Sequence, residues 1–193
     1  MKIRIQSAAL AFVLPHVCRE ESRPILGGVC VEPSGVIVAT DGKTLCAHQS
    51  GASGAEAPVI LRFHKPRELV ARKVEAVEMD TDGTPARNLV ATLLDKHGAP
   101  CGVTGCDVVE GPYPAWRQVV PHGDPVPTAA LALNPEMVAR FDRGDGTAAT
   151  FTLHGPDKAL LVTYGTRPDV VGLCMPCRMM DATPPAAPDW VAR

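Results

Sequence analysis

Thiols are the first residues in this chain that could do chemistry. There are seven cysteines, and two of them, Cys174 and Cys177, form a C-x-x-C within GLCMPCR. That spacing serves a redox dithiol or one half of a zinc site. Cys101 and Cys106 are separated by four residues across a glycine-containing stretch, so the two pairs could in principle complete a four-thiolate zinc site. Against this stands a plainer reading, in which free thiols serve as small core residues. The six histidines, at 16, 48, 64, 97, 122 and 154, show no ligand spacing. No phosphate loop, zinc-protease or nucleophile-elbow motif is present, and TDGKT carries Lys43-Thr44 without the glycine loop that cradles phosphate. The expectation is a protein without catalytic residues, cofactor or metal. A metal- or redox-active thiol protein is the alternative.

The bulk composition fits a folded protein of one or two domains. The 193 residues are 46% hydrophobic and 21% charged, with a formal net charge of −2. That balance is not the signature of a strongly basic nucleic-acid binder. Aromatics are only 4%, so the core must be built from aliphatic residues, many of them β-branched strand formers. MKIRIQSAAL has no apolar leader run, and no stretch is long enough to span a bilayer. Seven cysteines without a framework of regular spacing point to a cytoplasmic protein with reduced thiols.

The elements that must position these residues repeat. KIRIQ alternates as a strand, Ser7 is placed to cap a helix over SAALAFVLPHVCRE, and Pro15 should kink or shorten it. ILGGVCVE, GVIVAT and TLCAHQ then read as three strands with turns at Pro33–Gly35 and Asp41-Gly42. The order restarts with PVILRF, a helix over HKPRELVARKVEAV, and the strands RNLVATLLDK and PCGVTGCDVV. It restarts again with TAALAL, a helix capped by Asn134 with Pro135 at its first position, and three strands ending in VVGLCMPCR. The expected division is residues 1–122 as one domain of two units, 128–180 as a half domain, and 181–193 as a disordered, proline-rich tail.

Four stretches in this order resemble the bacterial sliding clamp, the β subunit of DNA polymerase III. SRPILGGVCVE is similar to the family's R-x-x-L-x-G strand opening, and VATDGKTLCAH to its V-A-T-D-G-x-x-L. GPYPAWRQVVP resembles G-x-[FY]-P-[DN]-[YW]-x-x-v-[IL]-P, and VVGLCMPCR the C-terminal V-V-M-P-M-R. The resemblance spans residues 22–178. It implies an α+β sliding-clamp fold of three βαβββ units, one complete pseudo-two-fold domain plus a half domain. It also implies a non-enzymatic processivity factor or accessory protein of DNA replication.

Site residues follow from the same resemblance. Clamp partners, polymerase and clamp-loader peptides among them, insert apolar anchors between the middle and third domains. The matching positions are Arg23, Thr40, Gly42, Lys43, Thr44, Leu45, Pro121, Leu173, Met175, Pro176, Cys177 and Arg178. Lys43-Thr44 replaces the family's His-Arg, and Cys177 stands where a methionine is usual. Ordinary turn and strand residues are the plainer reading of this set. Weak, sequence-independent DNA contact is expected from Arg19 on the first helix, Lys65, Arg67, Arg72 and Lys73 on the second, and Arg140 and Arg143 near the third. Glu68, Glu75 and Glu78 are interleaved with the basic run, so a solvated face is the competing reading.

The family has six units and this chain has three. The family's first domain and the first half of its third have no counterpart in the pattern. The third unit is therefore expected to lack a partner half within the chain and to dimerise with a second copy. Whether such a molecule acts as a reduced clamp or as a competitor of clamps stays open at this point.

Overall fold

A computed structural model describes residues 2–49, 51–81, 88–128 and 130–178. Twelve strands form one antiparallel sheet in the order β10-β11-β12-β4-β3-β2-β6-β9-β8-β7-β1-β5. The first unit holds β1 (Lys2–Gln6), α1 (Ser7–Val13), β2 (Val29–Val31), β3 (Ile37–Thr40) and β4 (Thr44–His48), followed by the short β5 (Ala52–Ser53). The second holds β6 (Val59–Phe63), α2 (Pro66–Leu69), β7 (Ala76–Asp80), β8 (Leu89–Leu94) and β9 (Pro100–Val109). The third holds α3 (Pro135–Ala139), β10 (Ala149–Thr152), β11 (Leu160–Tyr164) and β12 (Arg167–Cys174). The architecture is the α+β one expected, with far more strand than helix.

Alternation decides which face each strand buries. In β1, Ile3 and Ile5 are buried between exposed Lys2, Arg4 and Gln6. The central strands β2, β3 and β4 are buried on both faces. Val29, Val31, Ile37, Ala39 and Cys46 join Leu10 and Val13 of α1 in the main core. Cys30, Val38, Leu45 and Ala47 point the other way, under the segment carrying Tyr113, Trp116 and Val120. That strap closes the second face and leaves these strands without a solvated side.

The helices are shorter than expected. Ser7 is the first residue of α1, not its cap, and its buried hydroxyl donates to the Leu69 carbonyl at 2.6 Å. It therefore ties α1 to α2. The helix stops at Val13 and Pro15 falls in a 3₁₀ turn over Leu14–His16. Proline has no N–H to offer the Ala11 carbonyl. That carbonyl instead accepts a 2.6 Å hydrogen bond from Arg143 of the third unit. The second helix is a single turn. The Glu75 amide donates to the Leu94 carbonyl, and β7 begins at Ala76 to pair with both β1 and β8. Sheet pairing at 75–80 overrides the helical pattern of the sequence. α3 starts as expected, with the Asn134 side chain accepting from the Glu136 amide.

Units one and two cover each other through two seams, β1 against β7 and β2 against β6. Each unit also closes its leading strand on the continuation of its last one. β1 meets β5, and β6 meets β9. In the third unit the described residues of the leading segment TAALAL supply a single bridge, Ala132 to Cys177, at the equivalent place. The third unit joins the rest by β12 pairing with β4 over five residue pairs. The tail expected over 181–193 lies outside the described residues.

Candidate functional site

The seam between β12 and β4 is held by the turn of TDGKT. Asp41 Oδ1 accepts from the Lys43 amide at 2.9 Å and the Thr44 amide at 2.7 Å. The Thr40 hydroxyl donates to the Thr44 carbonyl at 2.7 Å and accepts from the Gly42 amide at 3.0 Å. Gly42 sits at φ +87°, a conformation that glycine adopts without a Cβ penalty. The Met175 amide donates to the Lys43 carbonyl at 2.8 Å, which continues the β12–β4 ladder past the end of β12.

Arg140, at the end of α3, completes the turn from across the seam. Its Nη1 donates to Asp41 Oδ2 and, at 3.0 Å, to the Thr44 hydroxyl. Burial pushes the Asp41 pKa up, but the Thr44 amide, the Arg140 guanidinium and the Lys43 amide together hold it below the ordinary carboxylate value. Asp41 therefore stays ionised. His16 lies close to the same pair. Burial above all, with help from the Arg140 charge, lowers its pKa to about 3, so the ring is neutral.

Thr40, Gly42, Lys43, Thr44, Leu45, Leu173 and Met175 line one cavity of about 210 Å³. Its opposite wall comes from Leu26, from Pro114, Ala115, Trp116 and Val119 of the strap, and from Ala159. Arg23 stands at the edge, with Nη1 3.4 Å from the Asp41 carbonyl and Nε 3.3 Å from Glu20. Pro121, Pro176, Cys177 and Arg178 are not among the lining residues. Cys177 is instead tied through its amide to the Ala132 carbonyl at 2.8 Å. The strap is pinned by Glu32, which accepts from Trp116 Nε1 at 3.0 Å and from both terminal nitrogens of Arg117 at 2.8 and 2.7 Å. Behind Trp116 lies a second cavity of about 600 Å³, bordered by Cys30, Glu32, Ile60 and Tyr113.

The basic residues expected to face DNA divide into two groups. Arg140 and Arg143 are structural. Arg140 grips Asp41, while Arg143 holds the Ala11 carbonyl and stacks 3.7 Å from the centre of the Phe12 ring. Both are engaged inside the protein through Nη1, Arg140 with a carboxylate and a hydroxyl and Arg143 with a backbone carbonyl. Arg19, Lys65, Arg67, Arg72 and Lys73 are exposed, but not on one helix. Arg19 lies beyond α1, while Arg72 and Lys73 lie in the turn after α2. Lys65 pairs with Glu68 at 3.3 Å, and Lys73 Nζ donates to the Cys101 carbonyl at 3.1 Å.

The four thiols do not assemble. Cys101 and Cys106 are on β9, and Cys174 is on β12, five strand steps away in the sheet. At about 4.8 Å per step this is roughly 24 Å, far beyond a shared metal ion. Cys174 is buried and Cys177 exposed, and both are free. No group of three or more His, Cys, Asp or Glu fit to hold a metal occurs among the described residues. No described helix is long and apolar enough to cross a membrane.

No family model matches this chain, and neither does any curated protein. Solved structures do. The β sliding clamp of C. crescentus aligns over 92% of this chain and 66% of its own, at 16% identity and a TM-score of 0.62. The DNA polymerase III β subunit of Thermotoga maritima aligns over 93% and 66%, at 13% identity and a TM-score of 0.67. A sliding clamp from Bartonella birtlesii bound to griselimycin aligns over 92% and 66%, at 16% identity and a TM-score of 0.65. The chain has the sliding-clamp fold and spans just under two thirds of the length of these clamps.

Proposed function

We propose that this chain is a non-enzymatic, clamp-like accessory protein of DNA replication or repair in the cytoplasm. Its cavity at the β4–β12 seam receives a short peptide with apolar anchors from a polymerase or clamp-loader partner. What carries this reading is the cavity itself. Two chain segments more than a hundred residues apart, Thr40–Leu45 and Leu173–Met175, build one apolar recess on a sliding-clamp scaffold. Met175 is 40% exposed at its mouth, and a flexible thioether there adapts to varied side chains. DNA contact, in this reading, is weak and salt-sensitive and comes from Arg19, Lys65, Arg67, Arg72 and Lys73 without Arg140 or Arg143.

The third unit would act as a half domain and take a second copy as partner, while units one and two form a domain of their own. The support is a pattern. In units one and two the leading strand and the second strand each find the other unit. In the third unit β10 is the border strand of the sheet, with Val126 bridging only to His154 just beyond it among the described residues, and residues 130–133 contribute the Ala132–Cys177 bridge in place of a strand. Light scattering that gave a stable monomer would remove the dimer.

Fluorescence polarisation with a labelled peptide carrying two apolar anchors tests the site. Binding should weaken about tenfold with Leu173→Ala or Met175→Ala and change little with Val90→Ala, an exposed residue far along the sheet. Equal binding by all four proteins would sink the assignment.

A further inference from the structure

Two backbone edges of the third unit are open among the described residues. The first is β10, the border strand of the sheet, which pairs with β11 on its inner side. The Val126 amide donates to the Leu153 carbonyl at 2.8 Å, so it covers this border only past Thr152. Residues 149–152, Ala-Thr-Phe-Thr, carry no charge and no proline, the devices that guard the edge strands of monomeric proteins. The second edge belongs to residues 130–133. In units one and two the leading strand is paired on both sides, β1 by β5 and β7, and β6 by β9 and β2. Residues 130–133 have the first of these contacts, the bridge of Ala132 to Cys177, and the described residues supply no second. The α3 helix, which follows directly, has no fully buried residue, whereas α1 buries Ser7, Ala9, Leu10, Phe12 and Val13.

The second edge is tied to the peptide cavity at both ends of the segment that carries it. The Cys177 amide donates to the Ala132 carbonyl at 2.8 Å, and two residues earlier the Met175 amide donates to the Lys43 carbonyl at 2.8 Å. Met175 and Lys43 both line the cavity. Just past α3, Arg140 donates to Asp41 and Thr44 of the turn that forms the cavity wall.

We propose that a second copy of this chain lays its residues 130–133 along β10 and receives residues 130–133 along its own β10, and that this double seam tightens the peptide cavity. This rests on the reading of the cavity as a peptide site and of the third unit as a half domain. One unit supplies both members of the seam, so two copies related by a two-fold axis satisfy each other. Neither edge bears a charged side chain, so identical surfaces meet without repulsion. Leu131, Leu133, Met137 and Phe151 are half-buried around Phe141 and lie on the elements that the second copy covers.

A peptide that binds a single copy must fix α3 and residues 130–133 as it binds. In the dimer the seam has already fixed them, so less of the binding energy goes into ordering. Peptide affinity is then about tenfold higher in the dimer. By reciprocity each bound peptide tightens the dimer by the same factor, which makes about a hundredfold when both sites are filled.

The test uses the full chain. Sedimentation velocity over a range of protein concentrations should show a dimer that dissociates on dilution. Thr150→Lys on β10, at an exposed position, should shift it to monomer, and Ala130→Lys on the other edge should do the same. Both should bind a labelled peptide with two apolar anchors about tenfold more weakly than the unaltered chain, measured where that chain is dimeric. Val90→Lys, exposed on β8, should change neither reading. Saturating peptide should lower the dissociation constant of the dimer about a hundredfold. A stable monomer with and without peptide, a dimer that survives both edge lysines, or monomeric variants that bind peptide as tightly as the unaltered dimer overturns the proposal. If Leu173→Ala still weakens the peptide in any of those cases, the peptide site stands and the seam or its coupling falls. Edge lysines that break the dimer while no protein binds peptide reject the peptide site, and the coupling with it.

Discussion

The Asp41 carboxylate and the Arg140 guanidinium, 99 residues apart in the chain, meet across the junction of the first and third units, and the same Arg140 nitrogen reaches the Thr44 hydroxyl. One cation thus secures both the turn that forms one wall of the cavity and the helix that anchors the third unit. The Asp41 side chain is only 13% exposed, and the Thr44 amide, Arg140 and the Lys43 amide together keep it ionised.

Arg140→Ala should cost about 2 kcal/mol, because it leaves a mostly buried carboxylate short of one charge-assisted hydrogen bond. Urea unfolding measures this directly. A double-mutant cycle with Asp41→Asn should return a coupling of about 1–2 kcal/mol. A coupling near zero would mean that the pair does not hold the junction.

Stability should fall on the acid side in two stages. The His16 pKa in the folded protein is about 3, lowered by burial and by Arg140. Below about pH 6.5 the unfolded chain binds a proton that the folded protein refuses, so stability declines as pH falls from there towards 3. The Asp41 pKa is also lowered, so its contribution is whole above about pH 3.9 and is lost as pH falls through its folded value. His16→Met should reduce the pH slope of unfolding between 6.5 and 4 by up to about 1.4 kcal/mol per pH unit. Asp41→Asn should alter only the limb below about pH 4. Buffered urea titrations at half-unit steps separate the two.

Thiol reactivity should single out one residue. Cys177 is exposed, Cys101 is half-buried, and the other five cysteines are buried. Burial above all pushes Cys30, Cys46 and Cys106 up to about 12, so their thiolates are scarce at neutral pH. Maleimide labelling of the native protein, read by mass spectrometry, should show one fast addition at Cys177 and a slower one at Cys101. The rest should react only on unfolding. Paired rapid modification of Cys174 and Cys177 would revive a dithiol.

Gly172 of β12 is a packing glycine. A Cβ there would lie 2.5 Å from Cε1 of Phe141, the fully buried ring at the centre of the third unit. Gly172→Ala should destabilise by about 1–3 kcal/mol through overpacking. Gly165→Ala, with nothing within 4 Å, should stay within about 0.5 kcal/mol. Thermal unfolding of the two variants makes the comparison.

Local signals in the sequence carried well wherever local physics set the outcome. KIRIQ alternates and lies at a half-buried position, Asn134-Pro135 opens α3, and TDGKT is a tight turn with glycine at positive φ. The second helix was misread because its pattern over 64–77 is helical, and only the distant partners Leu94 and Gln6 claim 75–80 for the sheet. The roles of Arg140 and Arg143 were hidden for the same reason. An arginine after a helix looks the same in sequence whether it faces solvent or a carbonyl, 132 residues earlier in the chain, that Pro15 has left without a donor. Trp116 lay inside a quoted motif, yet only the folded strap shows that it walls the cavity.

The indole of Trp116 borders both cavities, and Glu32 grips its N–H together with Arg117. Any ligand that leans on this ring narrows one space as it widens the other. The two volumes are not independent receptacles but opposite sides of one partition. That partition is held from three directions, by the Glu32 carboxylate on its N–H, the Arg117 guanidinium 4.3 Å from the ring centre and the apolar cluster beneath it.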